Sequence, residues 1–370
     1  MIYFDNGATT LWKPAQVSKA IQYAMEHYAS PGRGGYSAAM DAAKAVLRCR
    51  ELAAILFDTE PENVVFTMNA THALNIAIKT LVSAGDTVVV SGFEHNAVMR
   101  PLYAIGANVV VAGKKLFDPE DTVREFDNAV TLRTKAVICT HVSNVFGYRL
   151  PIEEIAALCA KRNVPLIVDA AQSAGSLPIS LRKLGAAFLA MPGHKGLYGP
   201  QGTGMLLCAK LPKTLLEGGT GSQSQLFEMP DFLPDAGEAG THNVPGICGL
   251  AEGIRFVCEK GPERILRHEQ NVLKILKESC GREKGMRCFA GSDSVQTNVL
   301  SLCVSGMDCE EAARRLGDRG VAVRAGLHCA PLAHQSGGTL ECGTVRLSVS
   351  AFNTEEEAVK VSRILRSFVN

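Results

Sequence analysis

Between residues 60 and 210, short apolar runs alternate repeatedly with segments of helical spacing, and this alternation constrains the fold most. The runs Val109–Val111, Ala136–Cys139 and VPLIVD (164–169) are almost continuously apolar, and helical patterns such as Ala70–Leu81 lie between runs of this kind. Strands buried on both faces have such sequences, whereas half-exposed strands alternate apolar and polar residues. The pattern therefore predicts a mostly parallel sheet covered by helices on both faces.

The texture of the chain changes after residue 210. The segments EGGTG (217–221) and PDFLPDAGEAG (230–240) are rich in Gly, Pro and acidic residues and predict long loops. A capping box, Thr354-Glu355-Glu356-Glu357, predicts the start of the last helix. A length of 370 residues also favours more than one domain. The expected fold is α/β, with a large domain and a smaller α+β carboxyl-terminal domain, spanning residues 14–248 and residues 1–13 with 249–370.

Charge and hydropathy exclude several classes of partner. Lys and Arg number 38 against 37 Asp and Glu, a net charge of +1, and non-specific nucleic-acid binding needs a basic surface instead. No apolar run reaches the roughly 18 residues of a membrane span. The first ten residues, MIYFDNGATT, lack the basic and apolar regions of a signal peptide. We therefore expect neither a nucleic-acid nor a membrane partner, and a cytoplasmic protein.

Twelve cysteines are spread through apolar segments from Cys49 to Cys342. They form no C-x-x-C pair, so the spacing typical of structural zinc sites is missing and we expect no metal site. In a reducing compartment most of them are expected to be small buried hydrophobic residues.

Two polar residues follow strand-like runs and indicate chemistry. Asp169 closes VPLIVD, and Lys195 lies in PGHKG (192–196), directly after the run Phe188–Met191. Ligands of open parallel sheets bind outside the carboxyl ends of the strands. A lysine desolvated there has a lowered pKa and an amine able to form a Schiff base. Taken alone, Asp169 is also explained as a helix N-cap and Lys195 as a surface residue.

Together with further motifs, these residues resemble the aminotransferase class V family of pyridoxal-phosphate (PLP) enzymes, specifically its group II cysteine desulfurases and selenocysteine lyases. The resemblance runs from YFDNGATT (3–10) to FNT (352–354). Its most specific segments are HVSN (141–144), VDAAQS (168–173), GHK (193–195), RAGLHCA (324–330) and Arg346. It implies the PLP-dependent transferase fold of type I.

The resemblance also assigns roles around the PLP ring. Lys195 would form the Schiff base with PLP and later move protons at the substrate carbon. Asp169 would pair with the pyridinium nitrogen and so keep the ring an electron sink. Gln172 would hydrogen-bond the ring hydroxyl oxygen, and His95 would stack on the ring and take part in proton transfer.

For the phosphate, the resemblance implies backbone N–H groups at a helix N-terminus. Ala70 and Thr71 suit this role, with His194 adding a side-chain contact. Thr241 would reach the phosphate of a neighbouring subunit, which implies a homodimer with shared active sites. Two departures from the family pattern affect this region. Pro192 stands where many members have a phosphate-contacting serine, and Ala70 stands where threonine is common.

On the substrate side, Arg346 would bind the α-carboxylate bidentately and Asn144 would help to orient it. Ala8 and Arg33 would complete this side of the site, Arg33 from an entrance loop.

Cys329 differs from the other cysteines because it lies in a segment ending in Gly, Pro and His, which predicts an accessible loop. A thiolate there would attack the sulfur of the bound substrate and become a persulfide while alanine forms. The sequence therefore predicts a PLP-dependent cysteine desulfurase that converts L-cysteine to L-alanine and passes sulfur to an acceptor protein. Cys342 is a possible second redox partner.

Three alternatives stay open at this point. One is a selenocysteine lyase, although the presence of Cys329 favours sulfur, since selenium leaves readily without a cysteine nucleophile. Another is a different class V reaction, a lyase or an aminotransferase that uses PLP without Cys329. The last is a persulfide carrier that keeps PLP for structure. Arg346 argues against it, because a carrier needs no arginine to bind a substrate carboxylate.

Overall fold

A computed structural model describes residues 1–32 and 34–369 of the chain. Within these residues the chain forms the following strands: β1 Ile2–Tyr3, β2 Val64–Thr67, β3 Thr87–Ser91, β4 Asn108–Ala112, β5 Thr134–Thr140, β6 Leu166–Asp169, β7 Phe188–Pro192, β8 Gly204–Cys208, β9 Met286–Phe289, β10 Val299–Val304, β11 Val321–Ala322, β12 Arg324–Gly326 and β13 Thr344–Ser348.

The helices of the same residues are α1 Ala15–His27, α2 Ser37–Phe57, α3 Ala70–Leu81, α4 Asn96–Ile105, α5 Pro119–Ala129, α6 Ile152–Lys161, α7 Leu181–Leu184, α8 Val244–Lys260, α9 Pro262–Gly281, α10 Cys309–Gly317, α11 Pro331–Gly337 and α12 Glu355–Arg366. The predicted start of the last helix is confirmed, because Thr354 and Glu357 form the capping box. Pro151 is the N-cap of α6 rather than its first helical residue.

Seven strands form the large sheet, in the order β2-β8-β7-β6-β5-β3-β4. Its neighbours pair in parallel except at β8, which runs antiparallel to both β2 and β7. The sheet is therefore mostly parallel, as the sequence predicts. Parallel strands need long crossover connections, and the helices between them supply these connections.

The sheet is buried on both faces, which explains why its strands are continuously apolar. Successive residues of one strand belong to opposite cores, since side chains alternate across a sheet. Val89, Val137 and Val168 pack into one hydrophobic cluster. Their chain neighbours Val88, Ala136 and Ile167 pack into the other cluster.

A second, antiparallel sheet has the order β12-β13-β10-β9. It shares a separate core with α9, α10 and α12, to which Leu276, Leu302 and Val361 belong. The amino-terminal strand β1 pairs with β11, so the first residues join this smaller unit. The predicted domain boundary at residue 248 falls inside α8, and the division into two domains stays a prediction.

Among the described helices, none is long and apolar enough to cross a bilayer.

Candidate active site

Three neighbouring parallel strands, β5, β6 and β7, end at the same edge of the large sheet and surround a cavity. The cavity and its opening to solvent enclose about 530 Å³ of empty space. Asp169 is the last residue of β6, and Lys195 follows β7 by three residues. The wall contains eight residues singled out from the sequence: Ala70, Thr71, His95, Asn144, Asp169, Gln172, His194 and Lys195.

The turn that carries Lys195 is fixed by backbone contacts. Gly193 N–H donates to the Thr203 carbonyl over 2.8 Å, and a Cβ at Gly193 would lie 2.2 Å from Thr203 Oγ1. Only glycine fits there without displacement. The carbonyl of His194 accepts a 3.0 Å hydrogen bond from Thr10 N–H, which ties the amino-terminal segment to the turn.

Opposed electrostatic effects set the protonation of the two central residues. Burial lowers the pKa of Lys195 to about 8, helped by the charge of Arg346 and opposed by Asp169. Burial raises the pKa of Asp169, while an N–H from Ala171 (2.9 Å) and the charge of Lys195 lower it. A lysine with such a pKa is partly a free amine near neutral pH, so it can act as a nucleophile or a base.

His95 is the N-cap of α4 and is neutral at neutral pH. Burial, followed by the charges of Lys195 and Arg346, lowers the pKa of His95 to about 4. Its Nδ1 accepts a 3.0 Å hydrogen bond from the N–H of Ala97. The single ring proton is therefore on Nε2.

The N-terminus of α3 forms another part of the wall. Asn69 caps this helix, because its side chain accepts the His72 N–H over 2.9 Å. Ala70 and Thr71, which follow Asn69, are the first two residues of the helix and lie in the cavity wall. A helix N-terminus with free N–H groups favours an anion such as phosphate.

Arg346, on β13, is buried and held from two sides. Its Nη2 contacts Asp5 Oδ1 at 3.0 Å, and its Nη1 donates to the Asn144 carbonyl over 3.0 Å. Its Nε is buried without a partner in the described residues. Asp5 also binds the half-exposed Arg324, so a single carboxylate orients two guanidinium groups. Arg346 therefore contacts the backbone of Asn144, a residue of the cavity wall, and its Nε is left as a free donor within the described part of the chain.

Cys329 lies in an exposed loop beside the cavity, outside its wall. His328 and Cys329 are both left-handed, with φ of 49° and 56°. Two bonds hold this loop against the site. Asn96 N–H donates to the Cys329 carbonyl over 2.8 Å, and Asn144 Nδ2 donates to the His328 carbonyl over 2.8 Å.

Comparison with known proteins agrees with this geometry. The sequence model of the aminotransferase class-V family matches residues 2–361. The chain belongs to this family. It is 33% identical to a probable cysteine desulfurase of Methanothermobacter thermautotrophicus, over 96% of this chain and 92% of that protein. A probable cysteine desulfurase of Aeropyrum pernix is 31% identical, over 100% and 94% of the two chains.

A solved structure has the same fold. The apo structure of the cysteine desulfurase from Thermococcus onnurineus NA1 superposes with a TM-score of 0.89 at 29% identity, over 100% of this chain and 94% of that one. The predicted type I fold is thereby confirmed. Class V aminotransferases are PLP-dependent, and PLP is the cofactor of this chain.

The residues of the cavity fit PLP. His194 Nδ1 is buried without a partner in the described residues, which leaves a polar atom for a ligand. The start of α3 offers N–H groups for the phosphate. Asp169 would supply a carboxylate for the pyridinium nitrogen, and Lys195 would supply an amine for the aldehyde.

The remaining predicted residues have other partners or positions. Gln172 lines the cavity, and its Nε2 donates to the Gly7 carbonyl over 2.9 Å. Ala8 follows Gly7 and donates to the Asp5 carbonyl at 3.0 Å. Thr241 is exposed and lines a neighbouring pocket of the same chain instead. Arg33 lies outside the described residues.

Three contributors escaped the sequence reasoning. Asp5 stands inside the quoted motif YFDNGATT, where its position offers no sign of Arg346. Asn69 is an N-cap residue type directly before a predicted helix, a signal that could have identified it. Glu94, beside His95, is fully buried, and it accepts hydrogen bonds from Ser91 and from Thr140 N–H.

Proposed function

We propose that this chain is a PLP-dependent cysteine desulfurase that converts L-cysteine to L-alanine and leaves the sulfur on Cys329 as a persulfide. One observation carries the proposal: an exposed thiol loop is hydrogen-bonded to the cavity that contains Lys195 and Asp169. Relatives named as cysteine desulfurases support the substrate.

PLP, when bound, supplies an electron sink for the bonds around the substrate's α-carbon. Asp169 would pair its carboxylate with the pyridinium nitrogen, and the N–H of Ala171 and the charge of Lys195 favour the ionised form of Asp169. Lys195 anchors the group and, with its lowered pKa, accepts and returns a proton at the substrate carbon. His95, neutral with its proton on Nε2, has a donor rather than a charge to offer there.

Arg346 would bind the substrate carboxylate. The guanidinium is preorganised by Asp5 and by the Asn144 carbonyl, so little side-chain entropy remains to be lost on binding. Because Asn144 also binds the Cys329 loop, the carboxylate site and the thiol loop share a common support.

The sulfur transfer balances without an external oxidant. The thiolate of Cys329 attacks the substrate sulfur, a sulfur–sulfur bond forms, and the bond between that sulfur and the substrate carbon breaks. The electron pair stays with the carbon, which gains protons and leaves as L-alanine. Cys329 keeps the sulfur as S–SH, which a thiol of an acceptor protein then removes.

The proposal includes a homodimer, a cytoplasmic location and a sulfur-acceptor protein. Exposed Thr241 would complete the phosphate site of the other subunit. Twelve cysteines without a disulfide, most of them buried, suit a reducing compartment.

The test is an alanine assay with L-cysteine and a reductant, on the wild-type protein beside Cys329→Ser. We expect the variant to lose alanine formation by orders of magnitude while keeping the absorbance of bound PLP. Cys342→Ser, which removes the other exposed cysteine, is the matched control and should retain activity.

Alanine release by Cys329→Ser at the wild-type rate would contradict the persulfide step. Turnover of L-selenocysteine without turnover of L-cysteine would favour the lyase instead. Lys195→Ala should lose the near-visible absorbance of the protein.

A further inference from the structure

Three cysteines lie together outside the active site. Cys303 is near the end of β10, Cys309 is the first residue of α10, and Cys342 precedes β13 by two residues. In the chain they are up to 39 residues apart (342 − 303). The register of β10 and β13 pairs Leu302 with Val345, which brings the end of β10 beside the turn that contains Cys342.

Two of these thiols share one hydrogen-bond acceptor. Cys303 and Cys342 both donate to the carbonyl oxygen of Gly343, with S···O distances of 3.6 Å and 3.4 Å. Cys342 is also close enough to raise the pKa of the Cys303 thiol. A shared acceptor holds the two sulfurs on the same side of the turn. The third thiol, Cys309, does not share this acceptor, although Cys342 is near enough to raise its pKa, which burial raises most.

The residue that carries this shared acceptor adjoins the base of the Cys329 loop. Gly343 packs so closely on Gly326 that a Cβ at Gly343 would lie 3.0 Å from Gly326 Cα. Gly326 ends β12, and the loop with Cys329 follows it directly. A covalent change at Cys342 would thus act on the turn against which this loop is packed.

The two thiols differ in accessibility as a two-step exchange requires. Cys342 is exposed, so it can meet a soluble reagent, whereas Cys303 is only partly exposed behind it. Cys309 is buried. The first attack therefore falls to Cys342, and the thiol that shares its hydrogen-bond acceptor is that of Cys303.

We propose that Cys303 and Cys342 are a redox-responsive dithiol that closes to a disulfide by exchange with a low-molecular-weight disulfide. The Cys342 thiolate attacks one sulfur of the reagent, forms a mixed disulfide and expels one thiolate. The Cys303 thiolate then attacks the sulfur of Cys342 and expels the second thiolate. Two protein thiols are oxidised, and one small disulfide is reduced to two thiols.

The second attack needs the thiolate of Cys303. Burial raises the pKa of the Cys303 thiol to about 11, and Cys342 and Cys309 raise it further, while Arg287 of β9 lowers it. Exchange requires the thiolate, whose fraction grows about tenfold per pH unit below the pKa. Closure should therefore accelerate as the pH rises from neutral towards 9.

The experiment uses full-length PLP-loaded protein carrying Cys329→Ala, so that the loop thiol does not compete. The protein is incubated with oxidised glutathione, its remaining thiols are alkylated, and its disulfides are mapped by digestion and mass spectrometry. We expect a cross-link between Cys303 and Cys342, with two fewer free thiols per chain. Cys309→Ser is the matched control and should give the same cross-link.

Two further variants separate the steps. Cys303→Ser should accumulate a mixed disulfide with glutathione on Cys342, and Cys342→Ser should form neither product. A mixed disulfide on Cys342 that never closes in the parent protein would overturn the proposal. A cross-link from Cys342 to Cys309, or no reaction at Cys342, would overturn it as well.

Discussion

At the scale of a single residue, Glu94 shows how burial sets the charge of a group beside the site. Burial raises the pKa of Glu94 to about 8, although hydrogen bonds from Ser91 and Thr140 lower it, and Asp169 adds to the rise. The folded protein thus keeps a proton on Glu94 at neutral pH. The unfolded chain releases this proton near pH 4.5, so the group's contribution to stability falls as the pH rises from 4.5 to about 8.

We predict that Glu94→Gln removes this pH dependence, because glutamine is uncharged in both states. The slope of the unfolding free energy against pH should become more positive by up to about 1.4 kcal/mol per pH unit in that window. Urea unfolding at a series of pH values measures it. Glu60→Gln, at an exposed carboxyl, is the control. An unchanged slope in Glu94→Gln would show that Glu94 is ionised in the folded protein.

At the scale of elements, one buried ion pair fastens the long loop before α8. Arg50 of α2 binds Glu238 in a bidentate pair, at 2.9 and 2.6 Å. Glu238 also accepts the N–H of Phe66 in β2, and His242 lies 3.2 Å from it. The loop that leads to Thr241 is therefore attached to both a helix and the large sheet.

Glu238→Ala should destabilise the protein by about 3–5 kcal/mol, because it leaves the Arg50 charge buried without its partner. The matched control is Glu60→Ala, which breaks an exposed pair with Arg182 at 2.8 Å and should cost less than about 1 kcal/mol. Denaturant unfolding of both variants makes the comparison. Equal losses of unfolding free energy in the two variants would contradict the prediction, because they would mean that solvent reaches and stabilises the Arg50 charge once Glu238 is removed.

At the scale of the whole molecule, buried histidines link stability to acid. Burial lowers the pKa of five of them to between about 2 and about 4: His95, His141, His194, His328 and His334. Between pH 6.5 and about 4, the unfolded chain binds protons at these histidines, whereas the folded chain keeps them neutral. Their contribution to stability is therefore full above pH 6.5 and is lost as the pH falls towards 4.

We predict a steep acid loss of stability between pH 6.5 and 4, which Glu94 and Glu269 partly oppose because burial raises their pKa values to about 8. His141 has both ring nitrogens buried without partners among the described residues. His141→Gln should reduce the slope by up to about 1.4 kcal/mol per pH unit. His27→Gln, at an exposed histidine, is the control. Equal slopes in wild type and His141→Gln would contradict the prediction.

Sequence reasoning succeeded where the signal is local. The helical spacing of apolar residues over Ala70–Leu81 predicts α3. The continuously apolar strands are also a local signal, because their successive residues pack into the cores on opposite faces of the sheet. Lys195, Asp169 and His95 follow strand ends or lie near them, so the sheet brings them to one cavity. The pair of Asp5 and Arg346 could not be predicted in this way. These residues are 341 apart, and neither spacing nor composition records which carboxylate a buried guanidinium meets.

The left-handed backbone at Cys329 has a consequence for the evolution of the loop. A residue with a Cβ loses roughly 1 kcal/mol in this conformation, and glycine avoids that loss. Cys329→Gly should therefore melt at a higher temperature than Cys329→Ala, although both lack the thiol. A cysteine at this position indicates that selection favours reactivity over local stability, a trade-off that an enzyme engineered only for robustness would resolve the other way.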